Sequence, residues 1–237
     1  MTINIGDRVL NYELHRKPVK HINLRIRSDG SVFVSANDDI GQEEIENFII
    51  KKSEMILDAI ERYSEISKYS TEDYSYVTGE SFRYLGRDLR LKVSAGKRKV
   101  DTDGVCLYLT APNISDKDMK VHLIDKWYDK ECRTLFPLVI KDVYNKLFQK
   151  YDIVLPSLII RNMTSRWGSC QTKRNTITLN KRLIETPREC IEYVIVHEFT
   201  HFLQPNHSRK FYDLLAVFMP DWKERKRTLE GFIFQGI

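Results

Sequence analysis

Three features of the 237-residue sequence predict an α+β fold in two parts. Residues 1–112 run in short apolar–polar alternations broken by Asp-Gly turns, the signature of strands and hairpins. From about Lys117 to Tyr151 the apolar residues recur instead at helical spacing. A later segment, opened by Pro187, is apolar on nearly every side, as a helix buried all round must be. The division is placed near residue 113, giving a β-rich N-terminal domain with one helix (1–112) and an α+β C-terminal domain (113–237).

Each element follows from local chemistry. Val9–Leu14 reads as a short strand, and His21–Arg27 and Ser31–Ala36 flank the hairpin turn Ser28-Asp29-Gly30. Ile45, Phe48, Ile49, Ile56 and Ile60 then predict a single helix over 42–63. A second β block holds Phe82–Gly86, Asp88–Val93 and Val105–Ala111, with Asp103-Gly104 as its turn. The long helix after Asn113 carries Leu123, Ile124, Trp127, Leu135, Val139, Val143 and Leu147. Pro137 lacks an N–H and is expected to kink or interrupt it. Ser157–Met163 reads as a strand, and Thr176–Leu179 alternates as a half-buried one. Pro187 suits a first helical turn, with the helix running to about Leu203. Ser208 is a candidate N-cap for a last helical segment. No internal repeat or low-complexity stretch is visible.

Composition narrows the function. A net charge of +5, spread along the whole chain, permits an anionic partner without demanding one. The basic stretch Lys223–Arg227 is interrupted by Glu224 and reads as a solvated helix face, so a nucleic-acid partner is only weakly indicated. Cys106, Cys132, Cys170 and Cys190 form no C-x-x-C pair and read as small thiols in a reducing compartment. The first residues lack a basic and then apolar leader, and no run of apolar residues is long enough for a membrane span. The expectation is a cytoplasmic protein of unspecified oligomeric state.

The chemistry concentrates in Val196-His197-Glu198-Phe199-Thr200-His201, an H-E-x-x-H pattern. Residues four apart on a helix lie about 40° apart around its axis, one turn above each other, so two imidazoles can reach one ion. Glu198 lies about 100° on from His197, beside the same face. There it can reach a metal-bound water without being a ligand, and take that water's proton as it attacks a carbonyl. Such groups on a buried helix are unfavourable unless paired or bound to metal. A catalytic zinc takes three protein ligands and leaves its fourth position open. His207 is the third candidate. Pro205 disfavours helix at Gln204, and Asn206 tolerates a sharp turn, so the chain can fold back and aim His207 at the ion. The spacing H-E-x-x-H-x-x-x-x-x-H matches that of metzincins, but the glycine used there is Gln204 here, and the chain is not assigned to them. Half of the six histidines fall in this window; His15, His21 and His122 lie apart.

The chain resembles the YgjP-like metallopeptidase family, zincins distantly similar to SprT and WLM proteases. The likeness rests on Thr164–Cys170, Asn175–Pro187, Tyr193–His201, Asn206–Phe211 and Met219–Arg225, and more weakly on Ile22–Ala36 and Ser81–Leu91. It implies that His197, His201 and His207 hold Zn2+ and that Glu198 is the catalytic base. It further implies a zincin-like catalytic domain built from a twisted sheet, a backing helix at 117–151 and the active-site helix, acting on a protein or peptide substrate. In zincins a sheet edge beside the cleft often takes substrate as an added strand. Residues 175–180 could be that edge, or an ordinary strand with Thr176 and Thr178 facing solvent. Arg166 and Tyr212 are the candidate oxyanion donors, Trp167 reads as core, and Cys170 is not needed as a ligand. Two other readings stay open. One is a zinc-dependent nucleotide phosphohydrolase, although no Gly-rich phosphate loop is present. The other is a non-catalytic zinc module binding nucleic acid or protein, although closed zinc sites favour four cysteine-rich ligands.

Overall fold

In a computed structural model of the chain, residues 1–5, 8–27, 29–70, 74–163 and 166–232 are described. Contacts divide it into two compact units, Met1–Asp73 and a second beginning at Tyr74. The first unit has four strands: β1 (Thr2–Ile5), β2 (Arg8–Arg16), β3 (Asn23–Ile26) and β4 (Val32–Ala36). They lie in the order β1-β2-β4-β3, with β2 and β4 parallel and the outer pairings antiparallel. The predicted hairpin joins β3 to β4. Gly30 takes φ 83°, a left-handed value that a residue without Cβ adopts freely. Ser28 lies outside the described residues. Alternation puts Ile3, Leu10, Tyr12, Val32, Val34 and Ala36 on one face, where they cluster with helical isoleucines.

Those isoleucines belong to two helices, not the single one expected over 42–63. α1 (Gln42–Lys51) supplies Ile45 and Ile49, and α2 (Ser53–Ser70) supplies Ile56. The apolar spacing runs on across the break, which is why the sequence hides it. Lys52 leaves helical geometry (φ −104°, ψ 6°), and its N–H turns back to the Ile49 carbonyl in a tightened last turn.

The second unit opens with the same device. β5 (Ser81–Tyr84), β6 (Arg87–Ala95), β7 (Lys99–Thr102) and β8 (Cys106–Ala111) take the order β5-β6-β8-β7, again with a central parallel pair. Tyr12 opposes Val32 in the first sheet as Leu91 opposes Leu107 in the second. The strand pairs share burial patterns: β1 with β5, β2 with β6 and β3 with β7. The turn glycines agree (Gly30 φ 83°, Gly104 φ 87°). The following helix starts six residues beyond Ala36 in one copy and six beyond Ala111 in the other. The chain therefore contains a duplicated ββββα unit, where the sequence reading finds no repeat. What recurs is the pattern of inside and outside positions; the side chains filling it differ.

The helix of the second copy is α3 (Lys117–Val143), capped by the Asp116 carboxylate, which accepts from the Met119 N–H. Its Ile124 and Trp127 pack with Leu89, Leu91, Leu107 and Leu109 of the preceding sheet. This shared cluster is why the contact division falls after Asp73 and not near 113. α3 continues through Pro137, so the proline does not interrupt it. The expected helical stretch to Tyr151 is completed by a π-type turn, Tyr144–Phe148, and a 3₁₀ turn, Gln149–Tyr151.

Three further strands, β9 (Ser157–Arg161), β10 (Gly168–Gln171) and β11 (Thr176–Asn180), form a sheet in the order β10-β11-β9. Here two expectations are corrected. β11 is the central strand, not an edge, and all five of its residues are buried, Thr176 and Thr178 included. A strand covered on both faces loses the contrast that marks a half-buried one. α4 (Arg188–Leu203) begins after Pro187 and ends where Gln204 turns extended (φ −138°) before Pro205, as predicted. α5 (Arg209–Phe218) and α6 (Trp222–Glu230) complete the fold. The largest apolar cluster joins α3 (Phe136, Val139, Ile140), β11 (Ile177, Leu179), α4 (Ile191, Val194, Ile195, Phe199) and α5 (Phe211, Leu215). Each large side chain buried there contributes about 1.5–3 kcal/mol. The α+β class is thus observed, and no helix among the described residues is long and apolar enough to cross a membrane.

Candidate metal centre

α4 is buried over most of its middle, from Cys190 to Thr200, and the polar groups on that stretch need partners. Thr200 hides its hydroxyl by donating to the Val196 carbonyl one turn back, 2.7 Å away. His197 and His201 cannot be satisfied in this way. They stack along one side of the helix, ring centroids 5.1 Å apart, and His207 arrives from the turn beyond, at 5.0 and 4.7 Å from the two. The ligand-capable atoms of the three lie within 4.8 Å of one another. Nε2 of His197 and of His207 approach to 2.9 Å. That is a hydrogen-bond distance; two nitrogens bound to one tetrahedral zinc would be about 3.3 Å apart, so an ion between them would need the rings to part by a few tenths of an ångström.

The turn delivering His207 is held by Gln204. Its amide donates to Asn206 Oδ1 (2.8 Å) and Ser208 Oγ (3.2 Å), and its backbone carbonyl lies 3.3 Å from His201 Nδ1. That contact fixes the ring so that Nε2 faces the cluster, the usual outer support of a metal-binding histidine. Phe211, fully buried, sits beneath all three rings at centroid distances of 4.8, 4.7 and 4.8 Å. His197 Nδ1 is buried without a hydrogen-bond partner.

Electrostatics favour neutral imidazoles. Without an ion, burial, reinforced by His201 and His207, pushes the pKa of His197 down to about 3. Burial and His207 lower that of His201. Neutral rings are the ligand form, so the donor set fits a divalent metal. Glu198 is 5% exposed. Burial raises its carboxyl to about 8, and the Arg166 charge pulls in the opposite direction. Its carboxylate faces β10, where Gly168 has no side chain to displace it.

The structure thus brings His197, His201 and His207 together, with Glu198 one residue along from the first. The two candidate oxyanion donors are less defined. Arg166 is exposed, and Tyr212 stacks on Trp222 with its ring 6.3 Å from that of His207. Trp167 packs only partly into the core. Cys170 is a free thiol outside the cluster, pushed up to about 12 by burial and by Glu198. The sequence reading gives Phe211, Gln204 and Gly168 no role at the site. A phenylalanine four residues after a candidate ligand is a signal for the first of them; nothing local marks the others.

An imidazole cluster beside a buried carboxylate, set in an α+β fold, places the chain among metallopeptidases, and a model of a metallopeptidase domain matches residues 20–232. That domain is described as YgjP-like, and the chain belongs to this family. The family implies a divalent metal and a peptide or protein substrate. Among solved structures, the metallopeptidase zymogen jannalysin of Methanocaldococcus jannaschii is 23% identical over 41% of this chain and 97% of its own, with a TM-score of 0.36. The zymogen abylysin of Pyrococcus abyssi is 19% identical over 42% of this chain and 95% of its own, with a TM-score of 0.37. No curated protein matches the chain.

Proposed function

We propose that the chain is a zinc-dependent peptidase in which His197, His201 and His207 hold the ion, Glu198 is the general base, and the core around α4 is zincin-like. The observation that carries this reading is the convergence of three imidazoles from a buried helix and the turn after it. Bound there, zinc supplies Lewis acidity that polarises a carbonyl and makes water easier to deprotonate. Glu198 takes the proton of the attacking water and passes it to the leaving amine nitrogen. β10 is an edge of its sheet next to Glu198, where an extended peptide can add as a strand. The catalytic domain is the part from 113 onward, within the second compact unit.

The test combines metal analysis with cleavage of a diverse peptide pool. The wild-type chain is expected to carry one zinc and to cleave, and Glu198→Gln to keep the zinc and lose cleavage. Unchanged turnover in that variant removes Glu198 as the base. Cleavage of nucleoside triphosphates in place of peptides would redirect the assignment.

A further inference from the structure

Gly168 opens β10, and its backbone does not need a glycine, for its φ lies outside the left-handed range. A glycine inside a strand weakens it and marks a close approach of another group. The approaching group here is Glu198. A Cβ at 168 would stand 2.7 Å from Glu198 Oε1, 2.9 Å from its Cγ and 2.9 Å from Val194 Cγ1, distances real Cβ atoms do not tolerate. The strand cannot step aside. Asn180, wholly buried at the end of β11, donates from its side-chain amide to the carbonyls of Met163 (2.8 Å) and Arg166 (3.0 Å). Its own N–H donates to the Trp167 carbonyl (2.8 Å), and Gly168 is in register with Leu179. On the other side Glu198 rides on a helix whose neighbours Val194, Ile195, Val196 and Phe199 are buried in the core. Among the described residues no hydrogen bond holds its carboxylate, so the contact with β10 defines where that group lies.

We propose that Gly168 is a positioning residue for Glu198. Its missing side chain lets β10 close on the carboxylate and fixes the place from which the proton is taken. The proposal rests on the reading of Glu198 as the base. Any side chain at 168 has to be relieved by moving Glu198 and Val194, because β10 is clamped by Asn180 and α4 by the core.

The test compares wild type, G168A, E198Q and the G168A/E198Q double variant, each loaded with zinc. G168A is expected to bind one zinc with unchanged affinity, because the histidines are untouched. Its kcat should fall about a hundredfold with KM nearly unchanged, the scale of loss for a reacting group misplaced by about 1 Å. On top of E198Q the same change should cost no further residual rate, since residues acting as a unit are not additive. An equal loss in both backgrounds, or loss of zinc together with activity, would mean that Gly168 serves only to pack the strand. If G168A folds poorly, G168A/V194A removes the Val194 collision and leaves the one with Glu198. It should show the same loss of kcat, and full activity in it would overturn the proposal. If E198Q cleaves as fast as wild type, the base assignment itself fails, whatever G168A does.

Discussion

Glu198 and His197 are neighbours on α4, yet they titrate in opposite senses. In the metal-free chain the Glu198 carboxyl rises from 4.5 to about 8, so between those values the folded state keeps a proton the unfolded state has released. Stability therefore falls as pH rises through that window. His197 drops from 6.5 to about 3, so there the unfolded state holds the extra proton and stability rises with pH. The slopes oppose between 4.5 and 6.5, and above 6.5 only that of Glu198 remains. Urea unfolding of chelator-treated protein should show Glu198→Gln gaining stability over wild type from pH 6.5 to 8; a gap constant with pH would contradict the burial of Glu198. Phe211 permits a second measurement. It touches all three imidazoles and is itself fully buried. Phe211→Ala is expected to cost about 3–5 kcal/mol of stability. Zinc affinity, read by competition with a chromophoric chelator, should weaken by about tenfold or more as the rings lose their common support.

α3 and α1 show how differently equivalent helices can begin. Asp116 caps α3 through its side chain, whereas Gly41 at the start of α1 offers none. Asp116→Ala should therefore lower stability by about 1 kcal/mol, measured as a shift in urea midpoint. Elements were legible where one physical signal dominated. The Asp-Gly hairpins and α4 between Pro187 and Pro205 lie where turn chemistry puts them; α5 starts after Ser208 as expected, but the Ser208 side chain makes no capping bond and accepts from Gln204 instead. The convergence of His197, His201 and His207 was legible for the same reason, since the spacing of the three imidazoles is a local property of the chain. β11 was misjudged because burial on its two faces comes from partners remote in sequence. The break at Lys52 carries no proline or glycine, and the short edge strand β7 is mostly exposed. Gly168 could not be read at all, because its neighbour Glu198 is thirty residues away in the sequence.

At the scale of the whole chain, one arrangement of four strands and a helix occurs twice on sequences with little visible kinship. The second copy extends its helix as far as Val143 and contributes Phe136, Val139 and Ile140 to the cluster that buries α4; the first copy clusters around its own isoleucines. Placing Ala36 over Ala111 also places Val32 over Leu107 and Val34 over Leu109, so each copy annotates the other. A saturation scan of the gene should then trace one tolerance profile two times over, about 75 codons apart. Ala36→Val and Ala111→Val, at positions with no exposed surface, should each lower stability by about 1–3 kcal/mol. Phe33 and Tyr108, facing outward at matching sites, should accept most replacements. One template carries two spellings.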